Sequence, residues 1–199
     1  MNLDEIGIRD GITETIVTTF DLKNKLNAAP IGIIRKNNKI SIKLFKNSKT
    51  YENIFKAKVF VANITYDSIA FVNATFNNMN TDDFEFISFE GMQYPIIKNS
   101  IGFVVFRCNS IEIKNDILFA DLKPIFLKIN KKKLYAPNRG FNAIIEALVH
   151  ATRFKIFKIK KYKELVQYYS NLAIKCGGTR EKDAASMIDE FLSLKNLNK

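Results

Sequence analysis

The stretch FKNSKTYENI, Phe45 to Ile54, puts two lysines and two hydroxyls at the joint between an alternating apolar run and a helical pattern. A strand that runs straight into a helix leaves backbone N–H groups unpaired, and the helix dipole adds partial positive charge there. Ser48 and Thr50 can donate hydroxyl hydrogen bonds, and Lys46 and Lys49 supply full charges, so the joint has the makings of a phosphate cradle. The same residues also suit a plain helix cap, with Ser48 or Thr50 accepting from the first turn and both lysines solvated. Upstream, LNAAPIGI sets Ala28, Ala29 and Gly32 in or beside a strand otherwise built of isoleucine. Small side chains there let a flat ligand approach the backbone, and they equally suit a barrel corner.

A second cluster lies near the C-terminus. Wound at about 3.6 residues per turn, residues 138–154 place Arg139, Asn142, Glu146, His150 and Arg153 on one stripe, opposite Ile144, Ile145, Leu148 and Thr152. Two arginines, a carboxylate and the chain's one histidine could line a pocket for an anionic substrate or phosphate. His150 is then the candidate catalytic residue, shuttling a proton, with Glu146 one turn away to orient it. A neighbouring carboxylate favours imidazolium, so the histidine pKa is expected to rise. The alternative is a solvated face laced with ion pairs.

The elements that must position these residues change character along the chain. TETIVTTF, APIGII, KISIKLF and AKVFVANIT read as strands, with Asn37-Asn38 suited to a tight hairpin turn. YDSIAFVNATFN has helical spacing, capped by Asp67 or Ser68. NSIGFVVFRCNSIEI and DILFADLKPIFLKI form a long hairpin about Lys114-Asn115-Asp116. Long alternating strands joined by hairpins suggest a closed antiparallel barrel. Beyond Pro137 the pattern is helical: NRGFNAIIEALVHATRF, then KYKELVQYYSNLAIKCGG closed by Gly177-Gly178, then TREKDAASMIDEFLSLK opened by Thr179 as N-cap. Tyr168, Tyr169 and Phe191 read as helix-packing residues. The expected organisation is mainly β (α+β): a barrel over residues 1–135 and a helical subdomain over 136–199.

Composition narrows the chemistry. With 199 residues, 47% of them hydrophobic, the chain can bury a substantial core. The net charge of +11 raises the prospect of a small basic barrel binding RNA or single-stranded DNA. Yet the lysines are spread between isoleucines and asparagines, and no exposed aromatics interleave with arginine on one strand, so nucleic acid is disfavoured. Cys108 and Cys176 are far apart, and with one histidine no metal site is expected. The N-terminus carries early acidic residues and no long apolar run, which points to a cytoplasmic protein without a membrane span. There is no G-x-S-x-G elbow, Walker loop or G-x-G-x-x-G.

NAAPIG, NSKTYENI and FVANIT, in this order and separation, resemble the FMN-binding split-barrel proteins. With NRGFNAIIEALVHATR added, most of the chain resembles an archaeal family of split-barrel flavoproteins with a C-terminal helical subdomain. The resemblance implies an antiparallel split β-barrel and FMN held near a homodimer interface, with a small-molecule substrate and flavin-dependent oxidoreductase activity. It places the phosphate near Lys46, Ser48 and Thr50. The ring would lie along Asn27, Ala28, Ala29, Pro30, Ile31 and Gly32 and along the strand from Ala62 to Thr65, including Asn63. Asn47 stands where the family commonly has glycine; asparagine tolerates left-handed backbone better than most residues.

Overall fold

Period-two runs become strands and the capped periodic segments become helices. In the computed structural model, which describes residues 1–21, 23–46, 48–132 and 134–194, the order is β1 (Gly11–Phe20), β2 (Leu26–Lys36), β3 (Lys39–Phe45), α1 (Lys49–Ala57), β4 (Val59–Ile64), α2 (Ser68–Phe76), β5 (Phe84–Phe89), β6 (Met92–Ile97), β7 (Gly102–Lys114), β8 (Ile117–Ile129), α3 (Arg139–Phe157), α4 (Lys160–Cys176) and α5 (Thr179–Leu194). The chain divides into two units, Met1–Thr65 with Met79–Lys133, and Tyr66–Asn78 with Leu134–Lys199.

In the first unit six antiparallel strands close into a barrel in the order β1-β2-β3-β8-β7-β4. The hairpins turn on Asn37-Asn38 and Asn115-Asp116, all four at positive φ, the backbone that a two-residue turn demands. Alternation sends Val17, Ile33, Ile42, Phe60, Val104 and Leu118 into the interior. β5 and β6 form a hairpin not anticipated from the sequence, where Pro95 interrupts the strand signal. Tyr94 and Ile96 of β6 pack on Val61, Phe103 and Val105, residues of opposite parity to the interior set, so this hairpin covers the barrel's outer face.

The seam between β2 and β3 is short. Among the described residues β2 pairs with β3 only through Ile34, Arg35 and Lys36, while its pairing with β1 runs the whole length from Leu26 to Arg35. Residues 26–33 therefore have a strand neighbour on one side only. Pro30, opposite Ile16, has no N–H to give β1, and strand alternation then turns the backbone groups of Ala28, Pro30 and Gly32 toward the open side.

In the second unit α2 packs with the C-terminal helices through Phe71 on Phe141 and Phe76 on Phe191, ring centroids 5.8 and 4.6 Å apart. Asn138 caps α3, its Oδ1 accepting from Phe141 N–H at 3.0 Å. A Cβ on Gly140 would stand 2.3 Å from Gly177 Cα, so the start of α3 and the end of α4 meet at backbone contact. Thr179 is not the N-cap expected of it. It is already helical, and the Glu181 carboxylate accepts from the Gly178 N–H at 2.9 Å. Among the described residues no helix is long and apolar enough to cross a membrane.

Candidate functional site

At the joint between β3 and α1, Ser48 is the N-cap. Its Oγ accepts from Tyr51 N–H at 3.1 Å and donates to the Phe45 carbonyl at 3.2 Å. Lys46 is tied to the β7–β8 turn twice: its N–H donates to the Asp116 carbonyl at 2.9 Å and its Nζ to Asp116 Oδ1 at 2.8 Å. That carboxylate holds the ammonium above its usual range. Lys46, Ser48 and Lys49 are exposed. Asn47 lies outside the described residues.

Thr50 turns the other way. It is only 2% exposed, and its Oγ1 accepts from Asn27 Nδ2 at 3.0 Å. Asn27 also reaches Thr19 Oγ1 at 3.3 Å, and Thr19 accepts from Asn53 Nδ2 at 2.9 Å. The result is a buried polar chain, Thr50–Asn27–Thr19–Asn53, joining α1 to β2 and β1. Hydrogen bonds in such surroundings are stiffening, because a broken one strands a polar group away from water. The structure thus brings together Asn27 and Thr50, one from each of the two motifs read from the sequence.

The remaining sequence-derived candidates fall as follows. Ala28 is buried, and Ala29, Pro30, Ile31 and Gly32 are half-buried along β2. Gly32 faces Ile12, whose Cγ2 would be 2.6 Å from an added Cβ. Asn63 is fully buried in a separate cluster. Its Nδ2 donates to the Ile16 carbonyl at 2.9 Å and to Thr18 Oγ1 at 3.0 Å, and its Oδ1 accepts from Ile97 N–H at 2.8 Å. Thr65, just past β4, is half-buried. Thr19, Asn53 and Asp116 escaped the sequence reading. Asn53 sits three residues after Thr50, on the same helix face, which was a usable signal. Thr19 was masked by its β-branched surroundings and Asp116 by its place in a turn.

Taken as a donor set, the joint offers two ammonium groups, the first-turn amides of α1 other than that of Tyr51, and the Ser48 hydroxyl now donating to Phe45, with two acids nearby, Asp116 bound to Lys46 and Glu52 in the first turn of α1. This fits a dianionic phosphate better than any cation. Among the described residues no group of three or more His, Cys, Asp or Glu could hold a metal ion.

The helical stripe separates. Arg139, Glu146 and Arg153 are exposed, as is Thr152, which was expected on the apolar face. His150 is 9% exposed, with ring centroids 5.6 Å from Tyr169 and 6.0 Å from Tyr162, and its Nδ1 has no hydrogen-bond partner. Its pKa is pushed down, not up: burial penalises the imidazolium most, Arg153 adds repulsion, and Glu146 only partly offsets them. Elsewhere in this unit a cleft of about 430 Å³ lies between α4 and α5, with Lys163, Gln167, Asn171, Asp189 and Ser193 among its lining.

Comparison with known proteins places these features in a family. The crystal structure of the FMN-bound protein MM1853 from Methanosarcina mazei is 42% identical, with 96% of this chain and 100% of that chain covered and a TM-score of 0.89. The uncharacterized protein MJ1453 of Methanocaldococcus jannaschii is 28% identical over 205 residues, 94% of this chain and 98% of the relative. A flavoredoxin from Methanosarcina acetivorans, 17% identical over 62% of this chain and 72% of its own, superposes with a TM-score of 0.50 and shares the fold alone. Residues 13–131 match the model described as "Protein of unknown function (DUF447) N-terminal domain", and residues 138–190 match "Protein of unknown function (DUF447)". With both models matched in sequence order, the chain belongs to the DUF447 family.

Proposed function

We propose that this chain binds FMN, with the phosphate at the start of α1 against Lys46, Ser48 and Lys49 and the ring along the open side of β2. The observation that carries the reading is the donor-rich joint beside an unpaired strand edge, in a chain 42% identical to an FMN-bound protein. Ala28 and Gly32 have backbone N–H and C=O turned to that edge, and they lack the bulk that would keep a planar ring away. Thr50 and Asn27 serve from behind, by bonding to each other. Asn63, its amide bonded to Ile16, Thr18 and Ile97, serves as scaffold, and Thr65, just past β4, is the candidate on that side of the ring.

The reading extends to a flavin-dependent oxidoreductase acting on a small molecule. Bound FMN supplies hydride and electron transfer, and the polypeptide binds it, orients it and limits its contact with water. It also extends to a homodimer with the flavin near the subunit interface. Ile12, 71% exposed on β1, and Phe45, 51% exposed on β3, are apolar side chains that a second copy would cover. Sedimentation of the purified protein at micromolar concentration checks this.

The test of FMN binding is direct. The purified protein should carry, or take up on titration, a yellow chromophore released as FMN on denaturation. Lys46→Ala alone should weaken FMN about tenfold to hundredfold, since one charge-assisted contact contributes about 1.5–3 kcal/mol, and adding Ser48→Ala should weaken it further. A folded double variant with unchanged affinity, or a protein that FMN does not titrate, sinks the reading.

A further inference from the structure

We propose that Thr19 and Asn53, neither of which reaches the joint's exposed surface, are positioning residues for the phosphate half of the FMN site. The inference rests on the FMN reading above and deepens it. Thr19 is 4% exposed and Asn53 7%. Thr19 Oγ1 is the common acceptor for Asn27 Nδ2 at 3.3 Å and Asn53 Nδ2 at 2.9 Å, and Asn27 passes the connection on to Thr50 Oγ1 at 3.0 Å. α1 is thereby fixed at two points one turn apart, Thr50 and Asn53, to β1 and to the β2 strand proposed to carry the ring. α1, between β3 and β4, is a short helix of nine residues, and its dipole acts within about one turn of its end. A tilt of α1 away from β2 therefore moves the first-turn amides and Ser48 off the phosphate while leaving the β2 edge in place.

The distinguishing measurement is the ratio of FMN to riboflavin affinity, because riboflavin has the same ring and lacks the phosphate. Wild-type protein should prefer FMN. Thr19→Val keeps the side-chain shape and removes the shared acceptor. It should weaken FMN about tenfold and change riboflavin affinity by less than about twofold, collapsing the ratio. Thr19→Ser restores the oxygen and should restore the ratio. Asn53→Ala breaks only one of the three bonds and is read in the same way where Thr19→Val does not fold. Equal loss of FMN and riboflavin, or an unchanged ratio in folded Thr19→Val and Asn53→Ala, overturns the positioning role and leaves FMN binding standing. A wild-type protein that binds riboflavin as tightly as FMN, or neither, removes the phosphate site itself and the inference with it.

Discussion

The barrel unit and the helical unit hold themselves together by different means. Between strands, and between strands and α1, the barrel unit uses buried amides and hydroxyls that bond across elements. Asn63 links β1, β4 and β6, and Thr19 with Asn27 links β1, β2 and α1. The helical unit relies mostly on closeness, with Ser68 Oγ donating to Glu181 Oε1 at 3.4 Å as a buried side-chain bond between α2 and α5. Ala143, Ala147, Ala151, Ala173, Ala184 and Ala185 are all at most 2% exposed, and Gly140 meets Gly177 at backbone distance. Among the described residues, two buried polar atoms go unpaired there, His150 Nδ1 and Ser170 Oγ, against the Tyr94 hydroxyl in the barrel unit. A polar pin specifies geometry and tolerates little loss, which suits a scaffold for a ligand. Small-residue packing gives tight contact but leaves a stray titratable group sensitive to pH.

The largest expected effect tests the pins. Asn63→Ala deletes three hydrogen bonds and strands the Ile97 N–H in a dry site, and should cost about 3–4 kcal/mol in denaturant unfolding. A cost below about 1 kcal/mol would mean that the strands, not the amide, fix the β5–β6 hairpin. Next comes closeness itself. Gly140→Ala puts a methyl where the Gly177 backbone already is and should cost about 2–3 kcal/mol. The control is Gly91→Ala, where nothing lies within 4 Å of the added carbon and only the positive φ opposes it.

Much of this was legible in the sequence, and the gaps have physical reasons. Alternation in KISIKLF, with Asn37-Asn38 and Asn115-Asp116 at the turns, gave away the hairpins, and NAAPIG with NSKTYENI marked a strand of small residues and a capped helix start. What the sequence concealed is which side chains face each other. Thr50 looks like a surface hydroxyl until the helix is set on β1 and β2, and His150 shares a helical stripe with Arg139, Glu146 and Arg153 only on a bare wheel. The actual burial sector is centred on Ala143, Ala147 and Ala151, and it takes in His150 because α4 presents Tyr162 and Tyr169 to it. The grouping of α2 with α3 and α5 is likewise a property of packing, carried by Phe71 and Phe76, that local periodicity does not encode.

A smaller effect tests the unpaired histidine. The folded state holds the His150 pKa below its ordinary 6.5. Above that value both states are neutral and the stability is unaffected. As the pH falls through it, the unfolded chain takes up the proton first, so stability declines until the folded-state pKa is reached. His150→Phe keeps an aromatic ring between Tyr162 and Tyr169 and removes the proton site. Between about pH 7 and 5.5, the wild-type unfolding midpoint should fall more than that of the variant. Parallel curves would show that the imidazole finds a proton acceptor or water when charged.

The smallest effect concerns reactivity and leaves stability alone, and each unit supplies one cysteine for it. Cys108 lies in the barrel core, 8% exposed, and burial pushes its thiol up to about 11. At pH 8 about one molecule in a thousand would carry the thiolate that alkylating reagents need. Cys176 sits half-buried at the end of α4, immediately before the Gly177 contact. Native labelling should therefore modify Cys176 first, and Cys108 at a rate set by opening of the barrel. Full denaturation should bring the two rates together. The variants then sharpen the comparison between regions: Asn63→Ala should speed labelling of Cys108, and Gly140→Ala that of Cys176. Equal native rates at the two thiols, or acceleration of Cys108 by Gly140→Ala as large as that by Asn63→Ala, would mean that the two units open together and that their different interior chemistry does not set where the molecule yields.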